Sequence, residues 1–169
     1  MHPEIQHYLA MIEDLRDQVI ELIADLPAEA LNWRPLDASG EHAVNSMAVL
    51  AAHVAGAEHF WIAEAIGGAE FSTRNRASEF AAVVKGPGEL IERLGEVGAE
   101  TRAVLSALPL ARLNGSITVQ GRTASVRWGI LHVIDHTALH LGHMQITYQL
   151  WMGGGSKPSP RWFERAPSP

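Results

Sequence analysis

Apolar residues recur at steps of three and four along most of this chain, the period of a helix with one buried face. Ile5, Tyr8, Leu9, Ile12, Leu15, Val19, Leu22, Ile23 and Leu26 share such a face, and Pro27 closes the run. A second helix is predicted over MAVLAAHVAGAEHFWIAEAI, capped by Asn45 or Ser46 and ended by Gly67 and Gly68. Leu90, Ile91, Leu94, Val97, Thr101, Val104, Leu105 and Leu108 mark a third, stopped by Pro109. The fourth runs from Val126 to Trp151, capped by Thr123 or Ser125 and free of proline. Between the third and fourth, ITVQGRT suggests a small hairpin around Gly121.

Four helices of roughly 20 residues and almost no strand make an all-α four-helix bundle. It is expected to occupy residues 1–152 as one domain, followed by a flexible Gly/Ser/Pro arm over 153–169 in which Trp162 and Phe163 can pin the chain to a surface. The connection between the second and third helices, about 20 residues, is far longer than an antiparallel hairpin needs. It can cross the bundle, leaving helices two and three parallel and helices two and four antiparallel.

Composition narrows the chemistry. There is no cysteine, which excludes a disulfide framework, thiolate ligands and a cysteine nucleophile. A net charge of −6 with no arginine or lysine stripe argues against a nucleic-acid partner. The run from Met47 to Ala57 is broken by His53 and falls well short of the roughly 20 apolar residues that span a bilayer. No signal segment is visible at the start, so the cytoplasm is the expected location.

The fourth helix holds four of the nine histidines, His132, His136, His140 and His143, on one stripe. His53, flanked only by alanine, valine and glycine, sits within the second helix. Taken alone, His53 is more simply a core histidine bonded to some neighbour. Together with the stripe it suggests a metal ion held from two helices. Side chains four residues apart can reach one ion, so the pair is His132 with His136 or His136 with His140. Counted at about 1.5 Å per residue, the antiparallel arrangement matches the depth of His53 to His136 and His140. A parallel arrangement would favour His132 and His136.

A histidine in the second helix, HTALHLGHMQ in the last, and the LNWRP and SMAVLAAHVAGAEHFW segments resemble the DinB/YfiT-like superfamily of metalloenzymes. The resemblance spans nearly the whole chain except the arm. It implies an up-down-down-up bundle, commonly a homodimer, with a divalent ion, zinc or nickel, on His53, His136 and His140. It also implies thiol-dependent transferase or isomerase chemistry on a small molecule, with a low-molecular-weight thiol as cosubstrate. Relatives often carry arginine and glutamine after the last ligand, where this chain has Leu141 and His143.

Three neutral imidazoles leave a coordination position open, as catalytic sites require. Asp135 and Glu58 are candidate acceptors for ligand N–H groups or general bases, although a solvated carboxylate is the plainer reading of each. His143 is a candidate pocket residue. Arg74 and Arg76 suit an anionic cosubstrate, although solvated loop charges are the plainer reading. A di-iron bundle would need two ExxH motifs and further inward glutamates, and only Glu4 to His7 matches. A zinc peptidase built on His132, Asp135 and His136 would lack a downstream glutamate ligand. The stronger alternative is a metal-binding dimeric bundle with a stress-related binding role and no turnover.

Overall fold

A computed structural model describes residues 1–36, 44–69 and 74–155. Gly40 and His42 of the first connection, and most of the C-terminal arm with Trp162 and Phe163, lie outside the described residues.

Helix α1 spans Pro3–Ile23, with proline in its first turn and His2 Nδ1 accepting from the backbone N–H of Glu4. It ends short of Pro27, because Pro27 caps a separate five-residue helix, α2 (Ala28–Asn32). Asn32 then accepts a hydrogen bond from Val84 N–H and donates to Val84 C=O, tying two connections together. Helix α3 (Met47–Glu58) starts at Ser46, whose hydroxyl accepts from Val49 N–H, and continues as a π-helical stretch, His59–Ile66. Gly68, with φ of 75°, ends the rod in a left-handed conformation that suits glycine.

The long crossover carries a short helix, α4 (Arg76–Phe80), before α5 (Gly88–Ala107). A 3₁₀ turn, Leu110–Asn114, leads into the hairpin of β1 (Ser116–Val119) and β2 (Arg122–Ser125). Val119 pairs with Arg122, and both turn residues, Gln120 and Gly121, have positive φ, as a tight two-residue hairpin requires. Helix α6 (Val126–Trp151) follows at once, capped by Ser125.

Cross-helix contacts fix the directions. Along α3 and its π extension, His53 meets His136 and His140 while Trp61 meets Trp128 and His132, so α6 runs antiparallel. Glu58 bonds Thr101 and Gly67 abuts Val104, so α5 runs parallel to α3. Arg127 donates to Tyr8 and Glu13 pairs with Arg102, so α1 runs with α6 and against α5. The bundle is up-down-down-up, with the long crossover joining the two parallel helices.

Two apolar clusters fill the interior. One gathers Val19, Ile23, Leu31, Met47, Leu94, Val97 and Met144; the other gathers Ile5, Ile12, Ile62, Leu105, Leu113 and Ile130. Between them runs a polar waist. Arg16 on α1 donates to Glu58 on α3 at 2.5 Å, and Thr101 on α5 donates to the same oxygen at 2.6 Å. Burial pushes the Glu58 carboxyl up, although Arg16 and Thr101 pull against it. Gly98 makes room for this ion pair: a Cβ there would lie 2.6 Å from the Arg16 guanidinium carbon.

Candidate metal centre

The three histidines converge. His53 is buried on α3, while His136 and His140 are half-buried, one turn apart on α6. Their ring nitrogens include one atom from each residue such that all three lie within 4.8 Å of one another. The Nε2 atoms of His53 and His136 are 3.1 Å apart. Two nitrogens on one tetrahedral ion at the usual bond length of about 2.1 Å would stand roughly 3.4 Å apart. One pair is therefore nearly at ligand spacing, and small ring rotations close the widest gap.

The protonation states suit an ion. Burial, then the neighbouring His140, His53, His132 and Arg74, lowers His136 to about 3. Burial, then His53, His143 and Arg76, lowers His140 to about 4. Both rings are neutral at pH 7 and carry a lone pair. Nδ1 of each is buried without a hydrogen-bond partner, so protein groups do not saturate these rings.

His53 is oriented by a residue absent from the sequence-based candidates. Its Nδ1 lies 2.9 Å from Oε2 of Glu79 on α4. Burial alone would raise the Glu79 carboxyl, but hydrogen bonds from His53 and Arg74 outweigh it and bring it to about 2. A carboxylate only accepts, so His53 donates from Nδ1 and turns its Nε2 toward His136. Arg74 grips both Glu79 oxygens, donating at 2.7 and 2.9 Å. Gly56 admits the arrangement, since a Cβ there would overlap the Glu79 carboxylate. That glycine, inside an otherwise alanine-rich helix, is the one sequence signal of a close approach.

Glu79→Gln should keep the fold and lower affinity for zinc by about 10–100-fold. Competition against a chromogenic chelator checks this, and unchanged affinity would remove Glu79 from the site.

The remaining candidates are placed as follows. Glu58 lies in the polar waist, bonded to Arg16 and Thr101 rather than to a ligand histidine. Asp135 is exposed on α6, and its charge acts on His132. His143 is exposed, with its ring centroid 5.5 Å from that of His140. His132 stacks flat on Trp128 at 4.9 Å and meets Trp61 edge-on, so aromatic neighbours occupy its ring. His59 is held between Glu64 and Glu100, away from the cluster.

The cluster opens into a cavity of about 870 Å³, also lined by Phe60, Trp61, Arg74, Arg76, Phe80 and Gln120. A π turn adds a residue to each turn of helix, and here the adjacent Phe60 and Trp61 both line the cavity. On the other side of His140 lies an apolar pocket of about 660 Å³, bounded by Trp33, Leu50, His143, Ile146 and Leu150. The arrangement can hold a divalent cation with room for an incoming molecule.

A family model described as mycothiol-S-transferase matches residues 7–153. Over 63 residues the chain is 33% identical to the uncharacterized protein YkkA of Bacillus subtilis (strain 168). That match covers 37% of this chain and 36% of YkkA, so it spans about a third of that relative's length. The crystal structure of a conserved protein from Enterococcus faecalis superposes with a TM-score of 0.71, covering 90% of this chain and 99% of the other. At 17% identity that likeness is one of fold alone.

Proposed function

Because the chain belongs to the mycothiol-S-transferase family, and through it to the DinB/YfiT-like superfamily, we propose that it is a metal-dependent thiol transferase acting on a small molecule. His53, His136 and His140 hold a divalent ion, zinc or nickel by the nature of three imidazole donors. Bound there, the ion supplies Lewis acidity that lowers the pKa of an incoming thiol. One observation supports this reading above the others: three imidazoles from two helices face one point, and that point opens into a cavity.

The chain's own residues do the rest. With no cysteine present, the nucleophile is a low-molecular-weight thiol bound from solution. Glu79 fixes the ring of His53, and Phe60 and Trp61 wall the cavity against water. The thiol's proton leaves to solvent through the open cavity, because His143 borders the apolar pocket on the other side of His140. Neither Glu58, committed to Arg16, nor the exposed Asp135 is needed for this. The cytoplasm, where small thiols stay reduced, is the compartment such chemistry requires. The outer face of α6 exposes Leu131, Leu139, Ile146 and Leu150, a surface suited to a homodimer. None of the described helices is long and apolar enough to cross a membrane.

The alternative reading is a metal-stabilised dimeric bundle without turnover, favoured by the fact that the histidines join α3 to α6. Metal removal separates the two. With mycothiol, bacillithiol or glutathione and an alkylating fluorophore, chelator-treated protein should lose conjugation, and added zinc or nickel should restore it with little change in melting temperature. A large fall in melting temperature with no conjugation in any metal-loaded form would favour the stabilised bundle.

A further inference from the structure

The described lining of the larger cavity contains two guanidinium groups, four imidazoles and no carboxylate. The chain as a whole carries a net charge of −6, so this cationic concavity runs against the overall balance. The two arginines are not equivalent. Arg74 is half-buried, forked onto Glu79 and lying over the Phe60 ring at 5.4 Å. Arg76 is exposed, lies over the Phe80 ring at 5.1 Å, and has no ion-pair partner among the described residues. It nonetheless faces the cluster, since it lines the same cavity as His53, His136 and His140. A guanidinium held over an aromatic ring keeps its in-plane N–H fork free for a carboxylate or a phosphate.

We propose that Arg76 is the docking group for an anionic substituent, a carboxylate, phosphate or sulfonate, on the small molecule that reacts at the histidines. Phe60, Phe80 and Trp61 enclose the apolar body of that molecule and leave its opposite end facing the ring nitrogens. The class is an organic anion with an apolar framework. This extends the proposed transferase reading, because only the reacting end depends on a metal, whereas the anionic end depends on Arg76.

The test uses benzoate and its uncharged counterpart benzamide, titrated calorimetrically into metal-free and zinc-loaded full-length protein. Metal-free wild-type protein should bind benzoate more tightly than benzamide by about tenfold or more. Arg76→Gln should bring the two to parity, and Arg76→Lys should keep part of the preference. An equal affinity for the two probes in wild-type protein, or a preference intact in Arg76→Gln, overturns the proposal. A preference seen only with zinc and surviving Arg76→Gln also overturns it, since the ion would then be reading the anion. If zinc fails to bind while the Arg76-dependent preference holds, the anion site stands and the metal reading falls.

Discussion

His136→Ala protein is expected to emerge from purification without stoichiometric metal and without thiol-transfer activity. His136 stands in the middle of the proposed ligand set: its ring lies 4.8 Å from that of His53 and 4.5 Å from that of His140, centroid to centroid. Removing it leaves two donors on different helices, too few to hold an ion of the first transition series against water. The loss should exceed the roughly 10–100-fold that follows removal of an outer hydrogen-bond partner. His53→Ala and His140→Ala should behave alike. His132→Ala and His143→Ala should keep their metal, because the first ring is stacked on Trp128 and the second is exposed. Elemental analysis of the five variants decides it, and full stoichiometry in all of the first three would defeat the ligand assignment.

The largest effect on stability is expected at the polar waist. In Arg16→Met the Glu58 carboxylate would remain buried with Thr101 but without its cation. Breaking a buried ion pair from one side typically costs about 3–5 kcal/mol. Replacing both partners, Arg16→Met with Glu58→Leu, should recover much of that, because the charge leaves together with its penalty. The pH dependence has a definite sign. Without Arg16 the folded carboxyl lies still further above its unfolded value, so the folded form takes up a proton more readily than the unfolded one. The deficit relative to the parent is therefore absent below the unfolded value of about 4.3 and grows as pH rises through the folded one. Urea unfolding at pH 4 and pH 7 measures it; a deficit that is the same at both would show that Glu58 is not the cause.

Much of the bundle can be read directly from the sequence. Long helices leave many turns of apolar spacing, and Pro27, Ser46, Gly68, Pro109 and Ser125 mark their ends in ways that turn chemistry explains. The fit is loosest at Pro27, which opens the short α2 rather than closing α1. Five-residue helices such as α2 and α4 complete too few turns to produce a period. The π-helical stretch from His59 is equally silent, since it changes hydrogen-bond register without changing the apolar composition. The convergence of His53, His136 and His140 was accessible because two of them sit one helical turn apart and depth along the rods aligned the third. Glu79 was not, because it approaches His53 from 26 residues away in a polar connection without periodicity. Glu58 shows the converse: a glutamate near His53 in sequence faces Arg16, 42 residues back, on another side of the helix.

The direct measurement of the central claim is anomalous diffraction from crystals of protein loaded with zinc, collected on both sides of the absorption edge. A single strong peak within bonding distance of nitrogens from His53, His136 and His140, with a further position open to the cavity, is the expected result. A peak on other residues, or none at full loading, would contradict the assignment and leave the three imidazoles as an ordinary buried cluster.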